Sequence, residues 1–133
     1  MSAMHILLVD DDDDIREIAT ISLEAIGGWQ VSAASSGAEG IATAVAGAPD
    51  AILLDVMMPD LDGPTTFRRL QDDAQTRDIP VIFLTAKAHN ADRQRLEQIG
   101  VAGLLTKPFD PMTLSAEVTA ILAAAGDRAP EPS

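Results

Sequence analysis

Four short apolar runs, each closing on a polar or charged residue, restrict this chain more than any other feature of its sequence. They are Ile6-Leu7-Leu8-Val9 before Asp10-Asp11, Ala51-Ile52-Leu53-Leu54 before Asp55, Val81-Ile82-Phe83-Leu84 before Thr85, and Val101-Ala102-Gly103-Leu104-Leu105 before Thr106-Lys107-Pro108. Continuous rather than alternating apolar character over four or five residues reads as a strand covered on both faces, the habit of parallel sheets. A polar residue directly after such a strand marks its carboxyl end, and open α/β sheets bind their ligands outside those ends. Carboxylates, a hydroxyl and an ammonium gathered there make a site for a divalent cation and a phosphoryl group.

Helical segments separate the runs, so strand and helix alternate five times and predict a parallel sheet with helices on both faces. Ile15, Ile18, Ala19 and Ile26 predict the inward stripe of a first helix that Gly27-Gly28 stops, and Gln30 to Ala34 a short second strand. Ser36 with Glu39 reads as a capping box opening a second helix with Ile41, Ala42 and Val45 on its apolar side. Pro64 suits the first turn of a third helix anchored by Phe67 and Leu70. A fourth, Asn90 to Ile99, has little beyond Leu96 and Ile99 to give the core, and so is expected to open locally at low cost. The last starts at Asp110-Pro111, turns Leu114, Val118, Ile121 and Leu122 inward, and ends by Gly126. One domain over residues 4–126 is expected, with 127–133 as a polar, proline-rich tail or linker.

Composition removes several function classes. The chain has 133 residues, no cysteine and a formal net charge of −12, so thiolate catalysis and zinc–thiolate sites are excluded. The same charge opposes direct contact with nucleic-acid phosphates and suits a partner with a basic patch. The apolar runs are too short to span a bilayer and Met1 to His5 is not a basic signal region, so a cytoplasmic location is expected.

Asp10 to Asp14 is a run of five aspartates. Asp10 and Asp11 end a strand, whereas Asp12, Asp13 and Asp14 read as a solvated loop, one of them capping the first helix. A calcium-loop reading fails, because Ile15 stands where its glycine belongs and Ile21 where its bidentate glutamate belongs. Carboxylates converging from neighbouring strand ends repel unless a cation neutralises them, and oxygen-only ligands favour magnesium or manganese. His5 and His89 read as edge or surface residues, and Trp29 as packing.

Together Leu8-Val9-Asp10-Asp11, Leu54-Asp55-Val56-Met57-Met58-Pro59-Asp60-Leu61-Asp62-Gly63, Leu84-Thr85-Ala86 and Thr106-Lys107-Pro108-Phe109 resemble the receiver domain of two-component response regulators, of the chemotaxis-regulator-like kind. The resemblance implies a flavodoxin-like, doubly wound fold with strand order 2-1-3-4-5. It implies Asp55 as phosphoacceptor from a histidine kinase or phosphotransfer protein, and magnesium held by Asp11, Asp55 and the Met57 carbonyl, with Asp10 acting mainly through water. Lys107 would pair with Asp55 and then with a phosphoryl oxygen, Thr85 would hydrogen-bond the phosphoryl group, and Ala86 would leave it space. The Lys107-Pro108 bond is expected to be cis. On this reading the chain is no enzyme beyond its own phosphorylation and dephosphorylation. A downstream protein would dock on the fourth helix, fifth strand and fifth helix, and phosphorylation could bring a homodimer.

The chain departs from the family at Leu104, three residues before Lys107, where many receivers carry tyrosine or phenylalanine; an aromatic switch cannot operate there in its usual form. Met57 and Lys87 occupy positions that vary in the family and are candidates for tuning phosphate lifetime. Two alternatives stay open: a receiver fragment of a larger regulator with a DNA-binding or enzymatic output domain, and a haloacid-dehalogenase-type phosphatase. The latter wants a hydroxyl or valine at the last place of an Asp-x-Asp-x-Thr pattern, where Asp14 stands.

Overall fold

In the computed structural model, which describes residues 4–86 and 90–127, the latter without the side chains of 90–93, 126 and 127, five parallel strands form one sheet. The strands are β1 (His5–Val9), β2 (Gln30–Ala34), β3 (Ala51–Asp55), β4 (Val81–Thr85) and β5 (Gly103–Thr106), in the order β2-β1-β3-β4-β5. Between and after them run α1 (Asp13–Ala25), α2 (Gly37–Gly47), α3 (Gly63–Asp72), α4 (Asn90–Glu97) and α5 (Leu114–Asp127). The predicted architecture and strand order are those observed.

Successive strand residues face opposite sides, so the apolar runs divide between two cores. Leu7, Val9, Ile52, Leu54, Val81 and Phe83 pack with Phe67 and Leu70 of α3 on one face. Ile6, Leu8, Leu53, Ile82, Leu84 and Leu105 pack with Leu23 of α1 and Leu114 and Val118 of α5 on the other. Every residue of β3 and β4 is buried, which is why these runs lack alternation. Phe67 and Phe83 meet edge to face, their ring centres 6.2 Å apart.

Several helix faces differ from expectation. α1 buries Ala19, Ser22 and Leu23, while Ile18 and Ile26 are exposed at 45% and 46%. Ser22 can lie inside because its hydroxyl donates to the Pro111 carbonyl. In α2 the buried residues are Gly37, Gly40 and Ala44, with Ala42 outside. The helix lies so close to β1 that a Cβ at Gly40 would stand 2.8 Å from Val9 Cγ2. Ser36 caps the Glu39 amide, but Glu39 returns to the Ser35 amide rather than that of Ser36, so the capping box is shifted by one residue.

α4 ends at Glu97, and Ile99 is more than a third exposed, so among the described side chains from 94 to 99 Leu96 is the apolar one packed on the core. α5 begins at Leu114 after a turn and reaches Asp127, one residue past the expected helix end at Gly126. His5 belongs to β1, with Nε2 2.7 Å from Ser32 Oγ, and Trp29 packs on the α1–α5 side. Lys87, His89 and residues 128–133 lie outside the described residues.

Candidate functional site

The register brings the chemistry together. Val9 pairs with Leu54 and Asp55 with Leu84, so the ends of β1, β3 and β4 finish level. β1 and β3 are neighbours whose following connections lie on opposite faces, the topological switch point of a doubly wound sheet. There Asp10, Asp11 and Asp55 each offer a carboxylate oxygen within 4.8 Å of the others. Asp10 is fully buried, Asp55 is 3% exposed, and Asp11 faces outward. Oxygen donors, two inside and one open to water, are the set a hard divalent cation takes while keeping water ligands.

Lys107 reaches across from the segment after β5. Its Nζ donates to Asp10 Oδ2 at 3.0 Å and lies 3.2 Å from Asp55 Oδ1, so one ammonium bridges both buried carboxylates. The Lys107 amide donates to the Thr85 carbonyl at 2.7 Å, and the Lys107-Pro108 bond is cis, as expected. The pairing with Asp55 was legible in the motif; the closer contact with Asp10 was not. Asp10 Oδ1 in turn accepts from the Asp12 amide at 2.9 Å.

Burial, and then the charge of Asp10, push the Asp55 carboxyl up from its ordinary 3.8 to about 6, against the opposing pull of Lys107. For Lys107, burial by itself favours the neutral amine. Its contacts with Asp10 and Asp55 outweigh that and raise it above the ordinary lysine range. The ammonium is therefore fully charged at neutral pH, yet two carboxylates share it and negative charge remains in excess.

Thr85 is buried at the end of β4, and its hydroxyl donates to the Ala86 carbonyl at 3.0 Å. Met57 lies two residues beyond Asp55, its amide 3.3 Å from Asp55 Oδ1 and its side chain 74% exposed. Leu104 packs inward against the core shared by Phe67 and Phe83. Among the five aspartates, Asp12 is the cap of α1, accepting from the amides of Asp14 and Ile15. Arg16, which sequence reasoning passed over, donates to the Asp10 carbonyl at 2.7 Å and pairs with Asp13. Nothing in the composition of α1 marks it, because its partner is a backbone oxygen.

Fold and site together define a doubly wound α/β protein with an acid-and-lysine pocket at its switch point. Comparison with protein families matches the response regulator receiver domain over residues 6–119, and the chain belongs to that family. Membership of this family displaces the dehalogenase-type alternative. It is 42% identical over 118 residues to the DNA-binding dual master transcriptional regulator RpaA of Synechocystis, covering 89% of this chain and 48% of that protein. Protein PilH of Pseudomonas aeruginosa is 40% identical over 119 residues, covering 90% of this chain and 98% of its own. The structure of chemotaxis protein CheY4 of Vibrio cholerae superposes with a TM-score of 0.83 at 29% identity, covering 90% of this chain and 99% of that one. The chain spans about half the length of several curated regulators it matches, and nearly all of PilH.

Proposed function

We propose that Asp55 accepts a phosphoryl group from the phosphohistidine of a histidine kinase or phosphotransfer protein, with magnesium, or manganese in its place, bound beside it. The observation that carries this is the ammonium of Lys107 shared between two buried carboxylates, with a third carboxylate at the open side. A carboxylate oxygen of Asp55 attacks phosphorus, the new P–O bond forms, and the P–N bond to the donor histidine breaks. Lys107 leaves Asp55 for a phosphoryl oxygen without leaving Asp10. Asp11, Asp55 and the Met57 carbonyl hold the cation, Asp10 acts through water, and Ala86 leaves space. The cation supplies neutralisation of the charge on the transferring group. Thr85 exchanges its bond to Ala86 for one to the phosphoryl group, which changes the local backbone and biases the domain between two states.

The protein turns over no other substrate in this reading, and it acts in the cytoplasm. Among the described residues no helix is long and apolar enough to cross a membrane. Residues 4–126 are the receiver, with a tail or linker after α5. The receiver serves either as a single-domain regulator, the architecture suggested by the match over nearly all of PilH, or within a longer regulator with an output domain, as in the match to half of RpaA, and the length of the open reading frame discriminates the two. The downstream protein docks on α4, β5 and α5, and phosphorylation could bring a homodimer. Incubation with a small phosphodonor and magnesium tests the core of the proposal. The protein should gain the mass of one phosphoryl group, and no gain in any metal condition would sink it.

A second surface has an observation of its own. Ile18 and Ile21 of α1 and Ile26 just after it line an open apolar cleft with Pro111 and Met112, and Ile21 and Met112 are 58% and 72% exposed. Both segments continue directly from site residues, α1 from Asp10 to Asp12 and the turn from Lys107. We assign this patch to the phosphodonor protein, which must lie over Asp55 to deliver its group. Ile21→Asp should slow transfer from the partner kinase about 10-fold or more and leave labelling by a small phosphodonor unchanged. Equal loss with both donors would remove the assignment.

The raised Asp55 carboxyl sets a pH dependence. A carboxylate whose folded value exceeds its unfolded one contributes stability below the unfolded value, here 3.8, and loses it as pH rises through about 6. Magnesium needs the charged form and relieves the repulsion that form suffers. The melting temperature should therefore rise with magnesium at pH 7.5, and the increment should fade as pH drops below about 6. A magnesium increment that does not change between pH 7.5 and 5 would contradict a cation held by Asp55.

A further inference from the structure

The loop between β3 and α3, residues 56–62, carries Met57 two residues beyond Asp55, and it is pinned in three places. The Gly63 amide donates to the Val56 carbonyl at 2.8 Å, and a Cβ on Gly63 would stand 2.8 Å from Val56 Cα, so the loop closes on its own strand end without room for a side chain. Asp62 caps α3 through the Thr65 amide at 2.8 Å. The third pin reaches a distant part of the chain. Asp60 accepts from the Gly37 amide through Oδ1 and from the Ala38 amide through Oδ2, both at 3.1 Å.

These are the first two amides of α2, and Ser36 does not satisfy them because its hydroxyl is taken up with the Glu39 amide. A carboxylate across a helix amino end gains two charge-assisted hydrogen bonds and the favourable end of the helix dipole. The seat is close-fitting. A Cβ on Gly37 would meet Thr66 Oγ1 at 2.5 Å and Leu61 Cβ at 2.9 Å, so only glycine lets α2 approach the loop this far.

We propose that Asp60 is a positioning residue: by clasping the loop onto the amino end of α2, it holds the Met57 carbonyl beside Asp55 in the arrangement a divalent cation requires. The inference rests on the receiver reading above and adds to it a residue that touches neither cation nor phosphoryl group. A loop held only at its ends spends part of its time with that carbonyl elsewhere, and apparent affinity falls by the fraction of time lost.

Magnesium affinity measured by calorimetry on the full chain, with labelling rates from a small phosphodonor at limiting and saturating magnesium, tests the clasp. Asp60→Ala should weaken magnesium binding about 10-fold, the usual effect of losing an outer partner of a metal site. Its labelling rate should fall at limiting magnesium and largely recover at saturation. Asp60→Asn keeps a carbonyl acceptor and should regain part of the affinity. Ser36→Ala, which removes the other cap of the same helix end, should leave magnesium affinity unchanged. Asp60→Ala binding within 2-fold of the parent, or Ser36→Ala weakening it equally, would overturn the inference while the receiver reading stands. A parent chain that binds no magnesium would overturn both.

Discussion

Asp55→Asn should abolish labelling by a small phosphodonor while leaving the fold intact. The replacement keeps the volume of a side chain that is 5% exposed, but its amide offers no carboxylate oxygen to attack phosphorus. Stability should move the other way. At neutral pH the parent holds Asp55 charged against burial and against Asp10, the two causes that raise its carboxyl to about 6. The neutral amide removes both costs, and Lys107 keeps its 3.0 Å contact with Asp10. In metal-free buffer at pH 7.5 the variant should melt at or above the temperature of the parent, and magnesium should raise that temperature less. Labelling that persists in the variant would move the acceptor elsewhere. A variant that fails to fold would mean that Asp55 is chiefly structural.

Lys107→Ala should have the next largest effect, with opposite signs in two measurements. Removing the ammonium leaves Asp10 and Asp55 facing each other without a counter-charge, and unpairing a buried charge costs on the order of 3–5 kcal/mol. Lys107 is 19% exposed, so water moderates the loss toward the lower end of that range in metal-free buffer. The labelling rate should fall about 10²- to 10³-fold, as when a preorganised donor to a transition-state oxygen is removed. Magnesium should bind the variant at least as tightly as the parent, because a competing cation has left the pocket, and saturating magnesium should restore much of the lost stability. Denaturant titrations with and without magnesium, run beside labelling kinetics, separate these effects. A labelling rate within 3-fold of the parent would show that Lys107 does not face the transferring group.

The helix faces show where reading a chain in one dimension reaches its limit. The spacing predicted Ile15, Ile18, Ala19 and Ile26 on the inward side of α1; Ala19 is buried there, but it packs beside Ser22 and Leu23 while Ile18 and Ile26 are exposed. Periodicity finds the apolar positions but cannot tell a core face from a face kept apolar for a partner, since both obey the same spacing. Ser22 could not be assigned inward because its partner is the carbonyl of Pro111, 89 residues away. In α2 close approach favours Gly37, Gly40 and Ala44 over the larger Ile41 and Val45, which sit at the margin. The capping box shifted for a related reason: side chains of adjacent residues compete for the same few amides, and geometry decides between Ser35 and Ser36.

What the sequence determined by itself was the sheet, its strand ends and the chemistry placed on them. Burial on both faces leaves a run such as Ala51 to Leu54 no polar position, so the run and the polar residue ending it are visible without coordinates. The motifs around Asp10, Asp55, Thr85 and Lys107 then identified the class of site. Only the tertiary structure decided how those groups share their charges. That Lys107 lies as near Asp10 as Asp55, that Arg16 holds the Asp10 carbonyl, and that Asp60 seats the loop on α2 are contacts between segments distant in the chain or with backbone atoms. Electrostatic coupling depends on distances and burial, which residue order does not carry, and hydrogen bonds to backbone leave no pattern of residue types.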